Sequence, residues 1–180
     1  MHYSIRPAQP NDSVRLSRIA ISSKAYWGYS NEFMLATKAE LEVSEARLRD
    51  SDFNYQCLWL NGQHLVAFYA LSLLPELSEF PSYQLEHPPA EPDKRRFLPG
   101  KTAELEGLFV APKYIGKGLG QVLFAHACEA LRCQGMAVLL IQSDPNALPF
   151  YLKQGGRLIG SKESGSIQGR HLPLVRFEIV

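Results

Sequence analysis

Three things are scarce in this 180-residue chain, and each scarcity closes off a class of protein. Cysteine is the first. Cys57, Cys128 and Cys133 cannot all pair internally and form no C-x-x-C, so a disulfide-stapled scaffold does not fit. They also lack a His/Cys pair at ligand spacing, so no metal is expected. They read as reduced thiols of a cytoplasmic protein. Long apolar runs are the second. The longest is Leu65–Leu71, followed by Met136–Ile141, whereas a membrane-spanning helix needs about 20 such residues. The opening Met-His-Tyr-Ser-Ile-Arg-Pro lacks the apolar core of a signal peptide. No membrane partner is expected. Excess charge is the third. Nineteen basic and eighteen acidic residues leave +1, so no overall field draws the chain to nucleic acid. With 46% apolar and 21% charged residues, the composition is globular, and the length suits one domain over residues 1–180.

What is present begins with periodicity. Residues 2–6 alternate weakly, as a strand does. Asn11, Asp12 or Ser13 can cap a helix carrying Val14, Leu16, Ile19 and Ala20. An aromatic cluster follows (Tyr26, Trp27, Tyr29, Phe33), then a second helical pattern over Thr37–Arg49. Phe53–Leu60 and Leu65–Leu74 read as strands joined at Asn61-Gly62, a strong hairpin signal. Pro75–Lys101 breaks the pattern with six prolines, an acidic first part and the basic run Lys94-Arg95-Arg96. It reads as a long excursion on the domain, able to close over a site. Ala103–Val110 is a strand, Gly118–Gln134 an amphipathic helix ended by Gly135, and Met136–Gln142 a buried strand. Asn146–Gln154 is a short helix, and Arg157–Lys162 and Leu172–Val180 are final strands. The expected fold is α/β (α+β): a mixed, largely antiparallel sheet with a central parallel pair from the 103–142 crossover, and helices on both faces.

The turn Gly116-Lys117-Gly118-Leu119-Gly120 between strand and helix has a physical meaning. A helix opens with N–H groups that lack internal partners and with about half a positive charge. Glycines let a phosphate approach that main chain. The dinucleotide pattern G-x-G-x-x-G fails in either register, since its third glycine would fall on Gln121 or Leu123. The P-loop pattern fails outright. Chemistry alone therefore leaves two readings open, a pyrophosphate cradle and a plain glycine-rich turn.

The run ELEGLFVAPKYIGKGLGQ, from Glu104 to Gln121, resembles the coenzyme-binding motif of the GNAT superfamily of N-acetyltransferases. Leu108, Val110, Pro112, Gly118 and Gly120 match it; Ile115 stands where Gln or Arg is usual. A second run, DPNALPFYLKQGG from Asp144 to Gly156, is similar to a later family segment through Ala147, Phe150, Tyr151 and Gly155. There Gly156 replaces a common Phe, and Asn146 sits nearer Tyr151 than the family asparagine usually does.

The resemblance implies direct transfer of an acetyl group from acetyl-coenzyme A to a primary amine, without a metal. It implies that Ile115, Gly116, Lys117, Gly118, Leu119, Gly120 and Gln121 hold the pyrophosphate. Main-chain groups of Leu108, Phe109 and Val110 would position and polarise the thioester. Tyr151 would supply a proton to the leaving thiolate, and Glu104 or Glu106, on one face of their strand, would take one from the ammonium. Lys117 and Lys153 could meet coenzyme phosphates, and Asn146 the pantetheine arm. His87 and His171 are weaker candidates for the base. Trp27 and Tyr29 could form an aromatic wall for a small-molecule amine. Protein amines as acceptors, a coenzyme-binding module without turnover, and a nucleotide-binding regulator are the alternatives. Carboxyl-terminal edge strands could pair two copies into a homodimer.

Overall fold

The computed structural model describes residues 2–74, 83–85 and 101–179, with only the main chain described at Leu74 and Tyr83–Leu85. In chain order the elements are β1 (Tyr3–Pro7), α1 (Ser13–Ala25), α2 (Asn31–Ala36), α3 (Lys38–Leu41), α4 (Glu45–Arg49), β2 (Phe53–Leu60), β3 (His64–Leu74) and β4 (Tyr83–Leu85). Then follow β5 (Thr102–Val110), α5 (Leu119–Cys133), β6 (Val138–Gln142), α6 (Leu148–Lys153), β7 (Arg157–Glu163) and β8 (His171–Glu178). The chain forms two compact units, residues 1–71 with 107–127, and residues 72–106 with 128–180.

In the first unit β1 lies antiparallel to β2, from Tyr3 opposite Leu60 to Pro7 opposite Gln56. The strand order continues β1-β2-β3 to β5, and the Ala111 N–H bonds the Val66 carbonyl at 2.8 Å. The Asn61-Gly62 turn forms as expected. Both residues take positive φ, 50° and 71°, the geometry that matches strand twist in a tight hairpin. Strand alternation gives β3 two buried faces. Phe68 and Ala70 join the core built by Leu16, Ile19, Ala20, Tyr55, Cys57 and Trp59. Tyr69 points the other way, its hydroxyl 2.9 Å from Nδ1 of His126 on α5. The apolar run over β3 is therefore a strand covered on both faces.

The single helix expected over Thr37–Arg49 is instead two short ones, α3 and α4. The chain is extended at Glu42 (φ −79°, ψ 127°), and Ser44 starts α4 by accepting the Arg47 N–H at 3.1 Å. Between them Val43 is pulled into the core. Its N–H donates to Ser17 Oγ on α1 at 2.8 Å, and its side chain is buried. A serine that can cap a new helix, next to an apolar residue the core can take, outweighs the helical periodicity.

In the second unit β5 and β6 form the expected parallel pair, in register over Thr102–Val138, Ala103–Leu139 and Glu104–Leu140. Antiparallel β8 lies next to β6, then β7, then β4. Val138, Leu139, Leu140, Leu174 and Val175 are fully buried. β8 is interior and β7 is covered by β4, so the carboxyl-terminal strands are not edges. The stated basis for a homodimer, pairing through those strands, is thereby removed. The excursion contributes β4; its remaining residues, 75–82 and 86–100, lie outside the described residues.

Replacing Ser17 with alanine leaves the buried Val43 N–H without its acceptor. The expected loss is about 1–3 kcal/mol of folding free energy, read as a lower urea midpoint with an unchanged slope.

Candidate active site

The turn after β5 is built as a phosphate cradle requires. A 3-10 turn at Pro112–Tyr114 reverses the chain, and Gly116 and Gly118 take φ of 77° and 82°, where side-chain-bearing residues are strained. The Cβ positions of both open into free space, so the main chain is bare on that side. Leu119, Leu123 and Ala127 are buried and fix the first turns of α5. The first N–H of the helix with a main-chain partner is that of Val122, on the Gly118 carbonyl at 3.2 Å. Among the described residues, the N–H groups of Gly118, Leu119, Gly120 and Gln121 have no acceptor. Four donors at the positive end of a 15-residue helix fit a pyrophosphate.

Two of the expected contacts look different in place. The Ile115 N–H is spent on Pro112 at 3.2 Å, and that of Lys117 points to Tyr114 at 3.4 Å. The Ile115 amide thus serves the turn itself and is not among the open donors. The Lys117 ammonium lies 5.4 Å from the Tyr114 ring centroid, at the exposed lip of the cradle. Leu108, Phe109 and Val110 lead into the turn, and the Phe109 ring folds back over Gly107. A Cβ at position 107 would stand 2.5 Å from that ring, so a side chain there would have to displace it. Tyr29 stacks on Phe33 at 4.1 Å between centroids, with the Lys24 ammonium 5.0 Å and 5.5 Å from the two rings. Trp27 is 44% exposed. The aromatic cluster is a surface feature of the first unit rather than its core.

The second unit carries the titratable candidates. Glu104 and Glu106 do share a face, and their surroundings differ. Glu104 is 13% exposed, with its Oε1 3.9 Å from Lys162 Nζ. Burial raises its pKa; the Lys162 charge lowers it and the Glu106 charge adds to the rise. Glu106 accepts the Ser72 hydroxyl at 2.6 Å. Lys162 and Ser72 carry no sequence motif, and only the strand pairing reveals them. Tyr151 is 6% exposed. Burial, and next the negative charge of Asp144, hold its hydroxyl protonated well above the usual phenol range. Asp144 closes an Asx turn onto the Asn146 N–H at 2.8 Å and lies 3.9 Å from Arg170. Lys153 is exposed on α6, and His171 begins β8; His87 lies outside the described residues.

Gly156 has a packing reason. A Cβ there would stand 2.6 Å from both Phe177 Cζ and Val175 Cγ1. The Phe177 ring also packs edge-on to Tyr151, at 6.5 Å between centroids. An aromatic ring beside Tyr151 therefore comes from β8, in space that a side chain at 156 would need. Its only sequence signal was the alternation within Leu172–Glu178.

Because Glu104 binds its proton more tightly in the folded chain than in the unfolded one, folding stability falls as pH rises from the ordinary carboxylate range through the raised value. Glu104→Gln should flatten that fall in urea titrations run from the ordinary carboxylate range upward and leave the acid end unchanged. An identical slope in both proteins would show that the carboxyl is not buried.

The sequence pattern of the Acetyltransferase (GNAT) family matches residues 22–156. Among curated proteins, the glucosamine 6-phosphate N-acetyltransferase of Trypanosoma brucei brucei is 40% identical over 53 residues, 29% of this chain and 36% of that protein. The match thus spans about a third of the relative's length. Among solved structures, the PaiA N-acetyltransferase of Thermoplasma acidophilum, in complex with coenzyme A, superimposes with a TM-score of 0.70 at 17% identity, covering 99% of both chains. The ribosomal-protein-S18-alanine N-acetyltransferase of Escherichia coli gives 0.63 at 17% identity, covering 99% of this chain and 94% of that one. At these identities the structures establish the shared fold. With the family pattern running through most of the chain, from α1 to the end of the Tyr151 segment, the chain belongs to the GNAT family of acetyltransferases.

Proposed function

We propose that residues 1–180 form one acetyltransferase domain that transfers acetyl from acetyl-coenzyme A directly to the primary amine of a small molecule. The observation that carries the coenzyme is the cradle: four partnerless N–H groups behind two glycines at positive φ. Bound there, the coenzyme supplies an activated acetyl thioester. In the overall reaction the amine nitrogen bonds the acetyl carbon, the carbon–sulfur bond breaks, and the ammonium nitrogen gives up two protons, one released to the base and one balanced by the proton that ends on the coenzyme sulfur. The curated relative named for an amino-sugar phosphate favours a small acceptor; the neighbour named for a protein alanine supports the alternative, a protein amine.

The residue roles follow from charge and burial. Gly116, Gly118, Leu119, Gly120 and Gln121 bind pyrophosphate oxygens, with Lys117 and Lys153 adding positive charge and Asn146 meeting the pantetheine arm. Main-chain groups of Leu108–Val110 orient and polarise the thioester. Glu104 is the better base. Its raised pKa brings it nearer neutrality, where a general base works best, whereas Glu106 already accepts the Ser72 hydroxyl. Tyr151 donates to the leaving sulfur. Full transfer from a phenol of pKa about 10 to a thiolate of about 8.5 costs roughly 2 kcal/mol, and burial adds to that. The tyrosine therefore stabilises developing negative charge as a hydrogen-bond donor, and solvent completes the protonation. Trp27 and Tyr29 offer an aromatic surface to the ammonium.

Calorimetric titration with acetyl-coenzyme A, with ATP and NAD as controls, should show selective binding. An amine screen read by thiol release should then give turnover. Tyr151→Phe should lower kcat about 100-fold with KM for the coenzyme little changed. Selective binding without turnover on any amine, and with Tyr151→Phe indistinguishable from the parent, would instead identify a coenzyme-binding module. Absence of selective binding would overturn the whole reading.

A further inference from the structure

The first unit holds a cavity that the acetyl-transfer reading does not use. Its volume is about 410 Å³, and it is lined by Arg6, Gln9, Asn11, Asp12, Arg15 and Trp59 among others. Trp59 is buried and forms the floor. Arg6 on β1 lies over its ring, with the guanidinium carbon 4.0 Å from the centroid. The Arg15 guanidinium carbon is 6.0 Å from the same centroid. Two guanidinium groups thus converge on one indole. A guanidinium over an indole face is held by cation–π attraction, which leaves its N–H groups able to donate to a ligand.

The charge balance there is uneven. Among the described residues no acidic side chain lies within ion-pair distance of Arg6 or of Arg18, the next arginine along α1. The one carboxylate in the cavity, Asp12, is buried and already accepts the Gln9 N–H at 2.9 Å. It reaches Arg15 only at 3.7 Å, and the Arg15 side chain is 62% exposed. Arg15 also lines a second cavity of about 370 Å³, together with Arg18 and His64. In a chain whose net charge is +1, two arginines against one occupied carboxylate give this cavity a local positive charge. Planar guanidinium forks suit oxyanions bound through two parallel hydrogen bonds. The cavity volume falls in the range of small-molecule sites rather than that of a lone ion.

We propose that the Arg6–Arg15 cavity over Trp59 is a second ligand site, taking a small polyanion whose phosphate or carboxylate groups engage both guanidinium forks.

The test titrates the full chain, saturated with coenzyme A so that the cradle is filled, with tripolyphosphate in one arm and citrate in the other. Trp27→Phe leaves Trp59 as the only indole, and its fluorescence reports the site directly. The expected result is saturable quenching by at least one polyanion, weakened at least about tenfold by Arg6→Gln and by Arg15→Gln, and weakening with added salt. The two arms show whether phosphate or carboxylate oxygens are preferred. Lys117→Gln, at the cradle, should leave the quenching unchanged. Arg6→Lys keeps the charge and loses the fork, and should fall between Arg6→Gln and the parent. That variant keeps the test decisive if Arg6→Gln disturbs the β1 edge. Quenching that survives both glutamine variants, quenching that disappears when coenzyme A is present, or none by either polyanion up to about 10 mM would overturn the proposal.

Discussion

A helix cannot satisfy its own first N–H groups, and the arrangement around β5 and α5 leaves that deficit on a surface open to an outside acceptor. Two demands must be met together. The chain has to reverse direction within a few residues, and the main chain has to stay bare on the side a ligand approaches. Glycine at 116 and 118 meets both, since positive φ is unstrained there and no Cβ covers the amides. The rest of the helix holds the turn in place. Leu119, Leu123 and Ala127 are buried, so the orphan donors sit on a fixed mount. Ile115 and Lys117 spend their own amides inside the turn and so stand outside the donor set.

Burial sets the chemistry of the second unit in the same way for two groups of different kind. Taking Glu104 out of water raises its pKa and makes it a stronger base; taking Tyr151 out of water makes it a weaker acid. The two neighbours of Glu104 work in opposition, with Lys162 favouring the anion and Glu106 opposing it. The Ser72 hydroxyl on Glu106 separates two carboxylates that sequence alone leaves equivalent. A neutral, buried phenol near Asp144 is suited to meeting developing negative charge with a hydrogen bond and unsuited to releasing its proton.

How much of this was legible beforehand depends on how local each cause is. The Asn61-Gly62 hairpin, the glycine turn, the span of α5 and its Gly135 end follow from backbone preferences of a few adjacent residues, and they stand where periodicity and turn chemistry put them. The break at Val43 did not show, because its cause is a hydrogen bond to Ser17, 26 residues away. Phe177 against Gly156 is a contact of the same distant kind. The strand order misled the expectation of free carboxyl-terminal edges. Nothing local announces that Tyr83–Leu85 covers β7.

The arginines make the same point from the other side. In the sequence Arg6, Arg15 and Arg18 are unremarkable surface cations, and the net charge of the chain hides them. Antiparallel pairing sets Arg6 opposite Cys57, within diagonal reach of Trp59 on the neighbouring strand. The capping of the turn before α1 then occupies Asp12, the acid best placed to neutralise them. A carboxylate that is buried and hydrogen-bonded to satisfy a helix start is less able to quench a nearby guanidinium than an exposed one free to form two parallel contacts. Local stability at the start of α1 and residual positive charge beside it thus have one cause, the position of Asp12.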